Sequence, residues 1–192
     1  MSVEKANAGE KVAAGLVAGT QSGESAKATG KYTVECFDKD GNLKWKAETP
    51  NLVVNVGLQY MAGAALTSTT QITTWYLGLY GAGASNTPAA TDTMSSHIGW
   101  TENTTYSNAN RPTATFVAAT NANPSVVTNS ASPATFNING TATIGGAFLT
   151  SSNTKGGTTG TLFSAADFQA PGDRSVVNGD TLNVTYTFSL AG

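Results

Sequence analysis

Residues 181–190, Thr-Leu-Asn-Val-Thr-Tyr-Thr-Phe-Ser-Leu, alternate polar and apolar side chains without a break. In an extended chain successive Cβ atoms point to opposite faces. Leu182, Val184, Tyr186, Phe188 and Leu190 therefore share one side, and Asn183, Thr185, Thr187 and Ser189 the other. A strand with one dry and one wet face belongs to an antiparallel sheet rather than a parallel one. Its dry side needs a second layer, so the chain must build at least two.

Other segments follow the same grammar. Lys31-Tyr32-Thr33-Val34-Glu35-Cys36-Phe37 and Leu43-Lys44-Trp45-Lys46-Ala47 flank Asp38-Lys39-Asp40-Gly41-Asn42, a hairpin with Asp-Gly chemistry at its turn. The same turn imitates the start of a calcium loop, but the twelfth position, where a bidentate Glu belongs, is Thr49. Thr73–Tyr80 reads as a buried strand, and Thr113–Val117, Ala134–Ile138, Thr141–Thr150 and Arg174–Val177 as further strands. Asn139-Gly140 either closes a tight hairpin or bends one strand through a bulge. Gly81–Thr91 and Gly156–Gly160 read as loops, and Leu162–Phe168 as an apolar-edged connection. Leu58, Met61, Ala62 and Ala65 are spaced for a short helix over about 55–66 with that stripe toward the core. Asp92–His97 is read as one helical turn capped by Thr91 or Asp92.

The fold class expected is all-β: a jelly-roll-like antiparallel β-sandwich over residues 31–192, with one or two short helices. Residues 1–30 are Ala, Gly, Ser, Lys and Glu with few large side chains, too little apolar surface to offset their ordering entropy in isolation. They read as an extended N-terminal arm, with Val3, Val12, Leu16 and Val17 as small anchors.

Composition then restricts function. Charged residues make up 11% of the 192, with one histidine, His97, and one cysteine, Cys36. Acid–base, nucleophilic and metal chemistry draw on clusters of His, Cys, Asp, Glu or Lys, so no catalytic, metal or cofactor-binding residues are assigned. His97 beside Ser95 and Ser96 has no G-x-S-x-G elbow and is read as a turn or packing histidine. Cys36 is read as a small apolar filler; alone, it closes no intrachain disulfide. A net charge of −2 and pI near 5.3 offer no basic stripe for nucleic acid. No run approaches the ~20 apolar residues of a membrane span, and Lys11–Gly19 is too short and Gly-broken for a secretory segment. Gly78, Gly81 and Gly83 miss the dinucleotide spacing, and Gly156-Gly157 lacks the P-loop Lys. Trp45, Trp75 and Trp100 offer stacking platforms for sugar rings, Trp100 the foremost, though packing is the expected role of each.

One ordered set of segments resembles a known family. Val34–Trp45, Asn51–Leu58, Trp75–Leu79, Asp92–Glu102, Arg111-Pro112, Asn129–Ser132 and Leu162–Ala165 occur in an order similar to that in small virion proteins encoded near the major capsid gene of tailed bacteriophages. The likeness spans about residues 31–190. It implies a capsid cement (decoration) protein on the outer surface of the phage head, with the major capsid protein as partner and a homo-oligomer, trimer or dimer, as the working unit. Related sequences are tail or head-fibre components, and a carbohydrate-binding module is the other alternative. The resemblance implies no catalytic residue.

Overall fold

The computed structural model of the protein describes residues 26–82 and 87–192. It contains strands β1 (Lys27–Phe37), β2 (Leu43–Pro50) and β3 (Leu52–Val53), helix α1 (Asn55–Leu66), and strands β4 (Trp75–Gly81), β5 (Glu102–Asn103), β6 (Thr113–Ala114), β7 (Ser125–Thr128), β8 (Ala134–Asn137), β9 (Ala142–Thr150), β10 (Leu162–Asp167), β11 (Arg174–Val176) and β12 (Thr181–Ala191). Residues 1–25 of the expected arm lie outside the described residues. The arm's boundary moves, however, because Lys27–Gly30 already pair with Phe188–Ala191 as the first residues of β1.

The strands form two sheets, all pairs antiparallel. The first runs β2-β1-β12, with β7 and β8 both on the far edge of β12; the second runs β3-β10-β9-β4, with β5 and β6 on β4 and β11 on β9. The chain passes between sheets after β2, β6, β8 and β11. This is the all-β sandwich expected from the alternation. One continuous core joins Tyr32, Val34 and Cys36 of β1 and Leu182, Val184 and Tyr186 of β12 to Leu77, Leu79, Ile144, Leu149 and Phe163 of the second sheet.

The turn between β1 and β2 forms as read. Asp38 Oδ1 accepts from the amides of Asp40 (2.9 Å) and Asn42 (2.8 Å), and Gly41 takes φ 83°, a value that favours glycine. Asn139-Gly140 closes no hairpin, because β8 pairs with β12 in one sheet and β9 lies in the other. It marks a crossing between layers.

Three expectations need correction. Leu162–Asp167 is strand β10, not a connection. The second sheet carries a further apolar layer on its outer side, where Val54, Met94 and Trp100 cover Tyr80, Phe148, Leu162 and Ala165. Strands covered on both faces show no alternation, and β10 is buried from Leu162 to Ala166. Helix α1 forms over 55–66, but its contact side is Val56, Gly57, Tyr60 and Met61, while Leu58 is exposed. Gly57 has no Cβ where one would stand 2.3 Å from the Phe163 carbonyl oxygen, so the helix docks on its backbone and the stripe rotates away from Leu58. Asp92–His97 is not a helical turn. Thr93 and Ser96 bridge each other in a tight loop, with N···O distances of 2.9 and 3.2 Å, and the Asp92 carboxylate is spent elsewhere.

Candidate functional surface

Half of the eight charged residues beyond residue 49 are inside. Asp92, Arg111 and Asp180 are buried, and the Glu102 side chain is 8% exposed. Each takes part in a fixed contact. Glu102 on β5 faces Arg111: Nε donates to Oε1 at 2.9 Å and Nη2 to Oε2 at 2.7 Å. The guanidinium also donates to the carbonyls of Ser152 (2.9 Å) and Gly157 (2.7 Å) and sits 5.2 Å from the Phe148 ring centre. Glu102 accepts in addition from the Gly156 amide at 2.7 Å and the Tyr106 hydroxyl at 3.3 Å. Lys155 donates to the carbonyls of Tyr106 (2.9 Å) and Asn108 (2.8 Å). A buried ion pair whose remaining donors and acceptors are filled is a positional device more than a source of net stability. Here it ties loop 151–161 to the edge of the second sheet.

Two further pins follow the same logic. Asp92 Oδ2 accepts from Trp100 Nε1 (2.9 Å) and the Ala89 amide (3.0 Å). Asp180 Oδ2 accepts from Lys44 Nζ (2.5 Å) and the Val177 amide (2.8 Å), closing the turn into β12. Cys36 lies close to Asp180; burial, followed by the nearby carboxylate, pushes its thiol up to about 12. It is a buried filler, as read.

Trp100 is not an exposed platform. It is 3% exposed, packed on Tyr80 and Phe148, and His97 stacks over it at 3.9 Å with Nδ1 2.8 Å from the Trp100 carbonyl oxygen. His97 is thus a packing histidine. Trp45 donates to the Ser175 carbonyl (3.1 Å), and Trp75 packs edge-on to Tyr60 and Phe163. Among the described residues no group of three or more His, Cys, Asp or Glu comes together, and no helix is long and apolar enough to cross a membrane.

Away from the β1–β2 hairpin, what reaches solvent is rich in hydroxyl and amide groups. On the outer face of the first sheet, Thr33 lies opposite Thr185 and Lys31 opposite Thr187. Thr128 and Thr187 hydroxyls are 3.0 Å apart, and Thr135 donates to Asn183 at 2.9 Å. Charge on this face gathers at the β2 edge, where Lys31–Glu48 (3.0 Å), Lys46–Glu35 (3.3 Å) and Lys46–Glu48 (3.3 Å) pair off. Charged side chains on an edge strand discourage strand-to-strand aggregation.

Sequence reasoning placed the wet face of β12 correctly but did not find the Glu102–Arg111 pair. The only available signal was an arginine in a stretch otherwise nearly free of charge, since such a residue seldom stays unpaired when buried. No protein-family model, curated protein or solved structure matches this chain.

Proposed function

We propose that the protein is a non-enzymatic capsid cement (decoration) protein of a tailed phage, one that binds the outer surface of the head and clamps adjacent major capsid protein subunits. The observation that carries the reading is the division of polarity. Four ionic groups, Asp92, Glu102, Arg111 and Asp180, are used inside to fix loops, and the broad face of the first sheet presents Thr, Asn and Ser beside the mutually paired charges of its β2 edge. Such a face forms many short-range hydrogen bonds and depends little on the protonation or screening that govern ion pairs. The ordered resemblance to small virion proteins supplies the address. A ligand that binds the assembled lattice better than its dissociated subunits stabilises the lattice by mass action, and a homo-oligomer on a capsid symmetry axis multiplies that effect.

The test is addition of the purified protein to heads that lack it, followed by reconstruction of the particles. Density at repeated outer-surface positions bridging capsid subunits, together with a higher temperature of head opening, is the expected result. Density confined to the tail, or no binding, overturns the reading.

A further inference from the structure

The chain contains two Asn-Gly steps, Asn139-Gly140 and Asn178-Gly179, and the fold treats them differently. Such a step is chemically labile because glycine has no Cβ to shield its amide nitrogen, which can reach the carboxamide carbon of the asparagine before it. Two conditions decide the rate in a folded chain. The glycine N–H must be free to lose its proton, and the asparagine side chain must be free to turn back on the backbone.

Asn178-Gly179 fails the first condition. It forms the turn between β11 and β12, where the Gly179 amide donates to the Ile138 carbonyl at 2.9 Å and the Asp180 amide to the Val177 carbonyl at 3.1 Å. Gly179 is fixed there at φ 92°. A donated hydrogen bond holds the proton that has to leave. Asn129, followed by Ser130, fails the second, since its Nδ2 donates to the Val184 carbonyl (3.1 Å) and its Oδ1 accepts from the Tyr186 amide (2.6 Å).

Asn139-Gly140 meets both conditions. It lies on the crossing from β8 to β9, and Asn139 is exposed. Among the described residues neither the Gly140 amide nor the Asn139 carboxamide has a hydrogen-bond partner. The residue before it is held, because Ile138 bridges Tyr106 and donates its amide to the Asp180 carbonyl at 2.9 Å.

We propose that Asn139 is a site of spontaneous deamidation in the folded protein. The Gly140 nitrogen gives up its proton to solvent base and attacks Asn139 Cγ, a cyclic imide forms as ammonia leaves, and water reopens the ring at either carbonyl. The net exchange is one water consumed and one ammonia released. The product is aspartate or, with the main chain routed through the side-chain carbon, isoaspartate. Each event adds one negative charge to a chain of net charge −2. That charge appears at the crossing between the layers, where Thr105 Cγ2 lies 2.9 Å from the place a Gly140 Cβ would take.

Incubation of the full-length protein at mildly alkaline pH, with peptide mapping by mass spectrometry at intervals, tests it. In the folded chain Asn139 is expected to convert about tenfold faster than Asn178, the order of factor that one hydrogen bond on the reacting amide supplies. In denaturant the two should convert at similar rates, because both steps are then equally free. Asn139→Gln should remove the acidic species that electrophoresis resolves, with circular dichroism confirming that the variant folds. Asn178 matching or outpacing Asn139 in the folded chain overturns the proposal. So does an Asn139 that stays intact in the folded chain, and so does a contrast that persists undiminished in denaturant, which assigns it to the flanking residues rather than to the fold.

Discussion

Arg111 shows how one side chain fixes a loop to a sheet edge. Its guanidinium joins Glu102 of β5 to Ser152 and Gly157 of loop 151–161, and removing it leaves the Glu102 carboxylate buried without its partner. Arg111→Ala is expected to cost about 3–5 kcal/mol in urea unfolding. The double replacement Glu102→Leu/Arg111→Met should cost less than the single change, because neither buried charge is then orphaned. An additive result would show the pair to be uncoupled. Cys36 makes a second prediction. Its thiol is held protonated by burial and by the neighbouring Asp180, so the folded protein should not react with a thiol reagent at pH 8 and should react fully in denaturant. Because the folded value is raised, the unfolded chain loses its thiol proton first as pH rises. The stability from this group is intact below about pH 9 and declines between there and about 12. Cys36→Ala should flatten that part of the stability–pH curve.

At the scale of elements, the two helical glycines separate propensity from packing. Alanine favours a helix by about 1 kcal/mol over glycine, yet at Gly57 its Cβ would meet the Phe163 backbone at 2.3 Å. At Gly63 it would meet the side chain of exposed Thr69, its hydroxyl at 2.6 Å and its Cβ at 3.2 Å, and a rotor turn with a shift of a few tenths of an ångström in that loop relieves both. Gly57→Ala should therefore lower Tm, at a net cost of about 1–3 kcal/mol, while Gly63→Ala should be neutral or raise it. Equal gains from the two would remove the argument that α1 docks through its backbone. The same contrast explains what the sequence made legible. β1, β2 and β12 show their faces by alternation because each has one wet side, and α1 shows its span by composition. β10 was hidden because Ser164, Ala165 and Ala166 are small residues buried on both sides, and such a run carries no period. The short strands β3, β5 and β6 are fixed by neighbours distant in sequence, as is the Glu102–Arg111 pair, and no local pattern encodes a partner across a loop.

For the whole molecule, the neutral wet face makes a measurable statement about assembly. If the outer face of the first sheet contacts the capsid, affinity for heads should change by less than about threefold between low and high salt, since few ions are released or screened on binding. A steep salt dependence, read by titration of heads at several ionic strengths, would move the contact to the paired charges at the β2 edge. The central pairing of that sheet also sets a clock. β1 and β12 come from opposite ends of the described chain and pair along their full length, from Lys27 with Ala191 to Phe37 with Thr181. Contacts this remote in sequence form late, after the entropy of closing the intervening loop has been met. A chain that lacks β12 holds the β1–β2 hairpin with its apolar side uncovered, and it has no Asn183–Ser189 face to offer. Only a chain that carries β12 owns the Asn183–Ser189 face, so on the function proposed above a chain cut short of β12 would have no such face to offer a capsid.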